Sequence, residues 1–149
     1  MKNFKTYTFS VLLTLAILNS ACGPDNNSGC NNLNVIQNTY TGDIFVNSGG
    51  QDPSADFEGN NDSGIYSFEW CNPKGRASLD FDITTTVGGS VNIVLRDHEG
   101  IVVLNKTRPS GGEDSFSGVS DKGMRGTWTV EVTLMNVNGD GSWSMHPGD

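Results

Sequence analysis

Asp80 and Asp82 are the first residues in this chain whose types and spacing suggest chemistry. They share one parity in Ala77-Ser78-Leu79-Asp80-Phe81-Asp82-Ile83. An extended backbone sets both carboxylates on one face about 7 Å apart, within range of paired-carboxylate glycoside hydrolysis. That reaction also needs a pocket to desolvate one of the acids, and the flanking residues give no sign of one. His98, between Asp97 and Glu99, reads as a turn histidine. Serines abound, but none sits in a strand-turn-helix nucleophile elbow. With no convergent groups, the chain is expected not to be an enzyme, and a small hydrolase stands only as a second alternative.

Oxygen-bearing residues gather in two places. Asn136-Val137-Asn138-Gly139-Asp140-Gly141 imitates the start of a calcium loop, with Asn136, Asn138 and Asp140 at alternate positions. An EF-hand requires a bidentate Glu at the twelfth position, which here is Pro147, so a glycine-rich hairpin turn is the expected reading. Asp56, Glu58 and Asp62 lie in Asp52–Asp62, expected to be a solvated acidic loop that offers Ca²⁺ at most a weak site. No other cofactor is expected: His98 and His146 are far apart and show no ligand spacing with the cysteines. Among the aromatic residues, Trp128 shares parity with Val130 and Val132, and Trp143 with Met145, which assigns both to a core. Tyr66 and Trp70 are left as the candidates for stacking on a sugar, provided that the other face of their strand is the buried one.

The three cysteines divide by position. Lys2 and Lys5, an apolar run over Val11–Leu18 and small residues before Cys22 follow the order of a secretory signal. The run is too short for a transmembrane helix and is broken by Thr14. A cysteine at the cut point resembles a bacterial lipoprotein signal, although Asn19 stands where the usual lipobox carries Leu. The resemblance implies cleavage after residue 21, lipidation of Cys22 and, with Gly23 following, attachment to the outer membrane. Cys30 and Cys71 then remain as an even pair in an oxidising compartment, where a disulfide is expected. Closing that loop of about 42 residues corresponds to about 3.9 kcal/mol in the loop-closure picture.

Residues 22–32 are polar and turn-rich and read as a lipidated tether, which leaves 33–149 for one domain. Of nine Lys and Arg, two lie in the leader; seven basic side chains then face seventeen acidic ones, a formal charge of −10. Such a balance disfavours nucleic acid and anionic headgroups as partners and assigns the anchoring to lipid.

The elements that must position these residues are strands. No segment repeats apolar residues at helical spacing, and nineteen glycines punctuate the chain. Strict alternation marks Tyr66–Trp70, Ala77–Ile83, Trp128–Leu134 and Trp143–Met145; Val91–Leu95 follows it except that Val94 makes that strand apolar on both faces, and Asp43–Asn47 and Ile101–Lys106 are further strands. Turns are expected at Asp97–Gly100, Val87–Ser90 and Asn138–Gly141. Seven or eight short strands joined this way predict an all-β fold, a single antiparallel β-sandwich.

Arg125-Gly126-Thr127-Trp128-Thr129-Val130-Glu131-Val132, Gly139 and Gly141, and Ser142-Trp143-Ser144-Met145 together resemble the end of a bacterial pre-peptidase C-terminal domain. Asp62–Phe68 resembles its early strand, and Val91–Val102, with Asp97 and Gly100, its central hairpin. The likeness runs from about residue 57 to 145 and implies a jelly-roll-like, non-catalytic sandwich. The family usually follows a secreted enzyme, whereas here the domain stands on a lipidated tether, and the Cys30/Cys71 pair is no part of the family pattern. The expected function is a lipid-anchored accessory, adhesion or ligand-binding module of the bacterial envelope, monomeric, with an unidentified protein or glycan partner. The alternative is a carbohydrate- or calcium-binding module.

Overall fold

The computed structural model describes residues 33–47, 52–85, 88–109 and 115–148. The leader, the tether, Cys22 and Cys30 lie outside them. Eight antiparallel strands follow in chain order: β1 Asn34–Asn38, β2 Asp43–Asn47, β3 Ser54–Asn72, β4 Arg76–Thr85, β5 Ser90–Arg96, β6 Val102–Pro109, β7 Ser115–Val119 and β8 Gly126–Gly148.

Two of these strands organise the rest. β3 and β8 pair along almost their whole lengths, from Ser54 opposite Ser144 to Asn72 opposite Gly126, and fold over together as one ribbon. The ribbon bends where the register slips on either side of Asp62, at Asn61 and Asn136, both with positive φ, and at Gly64. A side chain at Gly64 would meet the Thr39 carbonyl and the Tyr40 backbone, so only glycine fits this corner.

On one side of the bend the order is β1-β3-β8-β5-β6, and on the other β2-β3-β8-β4-β7. Counting the two long strands once in each leaf, this is the strand order of a jelly roll, with β1 and β2 added at its edges. The all-β, single-sandwich reading therefore holds.

Alternation decides which side chains fill the space between the leaves. Leu79, Phe81 and Ile83 of β4, Val91, Ile93 and Leu95 of β5, and Trp128, Val130, Val132 and Leu134 of β8 all point inward and are buried. Phe68 and Trp143 stack across the core at 5.2 Å, tying one leaf to the other. Trp70 meets Trp128 edge-on at 6.0 Å, and the Trp128 indole donates a 2.7 Å hydrogen bond to the Met124 carbonyl. A buried indole N–H needs such a partner, so this bond also seats the loop before β8.

Two expected loops prove to be strand. Asp52–Asp62 is largely the first half of β3, with Ala55 and Phe57 inward and Asp56 and Glu58 outward. Asn136–Gly141 is no hairpin turn but the middle of β8. Gly141 serves close approach: a Cβ there would strike the Phe57 ring and the Asp82 carbonyl. The expected turn at Asp97–Gly100 is present, with the Gly100 N–H donating to the Asp97 carbonyl at 2.9 Å.

Candidate functional site: a serine and aspartate trough

The outward face of the second leaf carries a set of polar side chains in register. Because Ala55 and Phe57 turn inward, Ser54 and Asp56 of β3 turn out, and the same parity exposes Asp80 and Asp82 on β4. Ser142 and Ser144 of β8 lie between them, and Ser115 and Ser117 of β7 lie beyond. Pairing aligns these residues in two rows. One runs Ser54, Ser144, Asp80, Ser117; the other runs Asp56, Ser142, Asp82, Ser115. Directly opposed side chains in a sheet stand about 5 Å apart, so neighbouring groups within a row can engage one ligand together.

The rows line a shallow trough of about 480 Å³ whose floor is backed by Ala55, Phe81 and Trp143. On β2, Phe45 pairs with Asp56 and is 58 % exposed, a flat apolar ring at one rim. On the inner face of β7, behind the opposite edge of the trough, Phe116 leans on Phe81 with ring centroids 5.6 Å apart. The Lys106 ammonium and the Arg108 guanidinium lie over the Phe116 ring at 5.6 and 5.4 Å. Arg108 also donates from Nε to the Ser115 carbonyl at 2.8 Å, which closes the side of the sandwich there.

The trough's chemistry is hydrogen bonding. Carboxylate oxygens accept, and serine hydroxyls both donate and accept, which suits a ligand that is itself a lattice of hydroxyls. Its lining is made of Ser, Asp, Ala, Phe and Trp, with no histidine, lysine or cysteine among the described residues that form it. The Asp80/Asp82 pair does share a face, as the alternation predicts, and the Thr84 hydroxyl donates to Asp82 at 3.5 Å.

The other sequence candidates scatter. Tyr66 and Trp70 face the interior and are only 4 % and 3 % exposed, which corrects their assignment as sugar-stacking residues: they share parity with Phe68, and that face is the core. Asp62 turns toward the corner, accepting 2.6 Å hydrogen bonds from the Thr41 hydroxyl and the Asn60 N–H, which together hold its carboxyl below the usual range. Asn136 sits at the bend, its N–H donating to the Ser63 hydroxyl at 2.8 Å. Asn138 pairs across the ribbon with Asn60, and Asp140 with Glu58. Among the described residues no group of three or more His, Cys, Asp or Glu side chains is arranged to hold a metal ion. Cys71 is disulfide-bonded.

Sequence reasoning missed Phe45 and the serines of the trough. Their signal was the outward half of the same alternation that marked the core, but only cross-strand register places Ser142 and Ser144 beside Asp80 and Asp82.

No protein-family model matches the chain, and no curated protein matches it. Solved structures similar to it include a carbohydrate-binding module, TmCBM61, in complex with beta-1,4-galactotriose, at 16 % identity and a TM-score of 0.46, covering 72 % of this chain and 84 % of that one. A carbohydrate-binding module from Cellvibrio mixtus lichenase 5A, in complex with cellotriose, has 12 % identity and a TM-score of 0.39, covering 74 % of this chain and 88 % of that one. An arabinose-bound α-L-arabinofuranosidase has 15 % identity and a TM-score of 0.41, covering 77 % of this chain but 23 % of the enzyme. With likenesses this distant, the ligand of this chain must be argued from its own residues.

Proposed function

We propose that this protein is a non-catalytic, lipid-anchored envelope module that binds a neutral glycan in the trough of its second leaf. The observation that carries the reading is the pair of serine and aspartate rows across β3, β8, β4 and β7. Sugar hydroxyls arrive in pairs that donate to a carboxylate and exchange hydrogen bonds with serines, and hydrogen bonds to charged groups contribute about 1.5–3 kcal/mol each. Phe45 offers a sugar ring an apolar face at the rim. Three carboxylates in one trough repel uronic acids and sulfated sugars, which selects for uncharged chains.

Lipidation at Cys22, an outer-membrane location and a Cys30–Cys71 bridge complete the proposal, as does kinship with pre-peptidase C-terminal domains. The leader pattern supports the first two. A disulfide at Cys71, at the end of the sheet where β1 begins, fits the third. The Val91–Val102 hairpin and Gly126 opening β8 fit the fourth.

A glycan array probed with the full-length protein, followed by calorimetry on the best neutral oligosaccharide, tests the ligand. Binding should weaken by about tenfold or more in Asp80→Asn/Asp82→Asn while the fold is retained. Binding unaffected by that pair of changes would remove the trough from the reading. Fractionation of cells carrying Cys22→Ala tests the anchor, because the variant should leave the membrane fraction or stall with its leader attached.

A further inference from the structure

Three connections meet at one end of the sandwich: residues 73–75 before β4, 97–101 between β5 and β6, and 120–125 before β8. The Gly123 N–H donates to the Gly75 carbonyl at 2.8 Å, and the Met124 N–H to the Asp97 carboxylate at 2.7 Å, so the three behave as one surface. Three exposed apolar side chains stand there. Met124 and Ile101 both hang from the Asp97 carboxylate through their N–H groups, and Val102 follows Ile101 into β6.

The same end gathers the protein's positive charge. Of the seven Lys and Arg among the described residues, Lys74, Arg76, Arg96, Lys122 and Arg125 lie here. The acidic residues at this end are Glu69, Asp97, Glu99 and Asp121. Asp97 is turned into the backbone, and Glu69 accepts from Asn34 at 2.7 Å. The rest of the described surface carries two basic residues against nine acidic ones. A net charge that disfavours anionic surfaces on average thus hides a segregated distribution.

The chain enters the domain at this end too. Asn34 pairs with Glu69, which pairs with Thr129, which pairs with Arg96, the last row to span β1, β3, β8 and β5 before the connections. Ten residues separate Leu33 from Cys22. At about 3.5 Å per residue even a fully extended tether reaches only about 35 Å.

We propose that this end is a membrane-docking surface, its apolar side chains entering the headgroup region of the anchoring bilayer and its basic ring engaging anionic headgroups. The inference rests on the lipid-anchor reading and adds orientation to it. A short tether holds the domain at high effective concentration near the bilayer, so a weak contact suffices. Each surface Lys or Arg adds to headgroup attraction, and lipid chains supply the permanence. Docked this way, the trough stands away from the bilayer, four to six residues along β4 from Arg76, or about 13–20 Å.

Two methionines provide the test. Met124 is 48 % exposed at this end, and Met135 is 53 % exposed where β5 begins, paired with Ser90. The lipidated full chain, purified from membranes, is reconstituted on vesicles of phosphatidylethanolamine with a quarter phosphatidylglycerol, treated with hydrogen peroxide, and sulfoxide formation is followed by peptide mass. Thioether oxidation follows exposure, so Met124 should react about fivefold or more slowly than Met135 on the vesicles. In Lys122→Glu/Arg125→Glu the two rates should converge while the protein still co-sediments. Equal rates in the unaltered, co-sedimenting protein overturn the docking surface and leave the anchor standing, and so does Met124 protection that persists in the double variant. Failure to co-sediment overturns the anchor, and the docking surface with it.

Discussion

Asp97 holds Met124: one carboxylate oxygen accepts the Met124 N–H at 2.7 Å, while the other takes the N–H groups of Glu99 and Ile101 at 3.0 and 2.9 Å. Asp97 is 5 % exposed, so one side chain at the tip of the β5–β6 hairpin satisfies donors in its own turn and in the loop that precedes β8. Burial pushes its carboxyl up, but the three backbone donors, with His98 nearby, hold it below the ordinary aspartate range.

Asp97→Asn keeps the shape but turns an amide N–H₂ toward one of those donors. The variant should lose about 2 kcal/mol, read as a lowered urea midpoint with an unchanged slope. The depressed carboxyl also sets a pH dependence. Its contribution is complete above the unfolded aspartate value near 3.9 and is lost as pH falls through the lower folded value. Acid titration followed by near-ultraviolet dichroism should show that loss in the native protein and a shallower acid slope in Asp97→Asn.

At the alkaline end the corresponding group is Tyr40. Burial, then the charges of Asp62 and Asp43, push its phenol up to about 12, and its hydroxyl donates to the Glu58 carbonyl at 2.9 Å. A folded value above the unfolded one near 10 means that this stabilisation is whole below pH 10 and disappears as pH rises toward 12. Tyr40→Phe should cost about 1 kcal/mol at neutral pH and flatten the decline between those limits. An equally steep alkaline decline in the variant would assign the effect elsewhere.

Gly141→Ala tests the reading of Asn136–Gly141 as strand. In a hairpin turn with solvent beside it, a methyl group would cost little. Beside the Phe57 ring and the Asp82 carbonyl it must displace packed groups, and about 1–3 kcal/mol of destabilisation is expected in thermal or chemical melts. Gly88→Ala, at a positive φ of 80° with open space around it, is the comparison that carries backbone strain alone.

The trough should separate binding from stability. Asp80→Asn/Asp82→Asn removes two like charges from neighbouring outward positions, so its melting temperature should stay within a few degrees of the parent or rise slightly. Affinity for a neutral oligosaccharide should fall by about tenfold or more, since hydrogen bonds to a charged acceptor outweigh those to an amide. Parallel melting and calorimetry distinguish this from unfolding, in which both readouts fail together.

Much of the architecture was written locally. Strand side chains alternate sides whatever the partner, so the parity of Leu79, Phe81 and Ile83 against Asp80 and Asp82 already separated a buried face from a wet one. β2, Asp43–Asn47, was bounded by its own residues, an apolar Ile44-Phe45-Val46 run between polar ends. Glycine and asparagine were ambiguous because they serve both a tight turn and a close approach of packed strands. Only the long-range pairing of β3 with β8 decided that Asn136–Gly141 continues a strand and that Asp56 and Glu58 stand on a sheet. The same pairing turned Tyr66 and Trp70 inward, a choice of face that alternation alone leaves open. The trough exists only in the tertiary structure: Ser142 and Asp82 are 60 residues apart in the chain and opposed in the sheet. Periodicity is a property of a single strand, whereas a site that spans four strands depends on register, which is set when distant segments bury their apolar faces together.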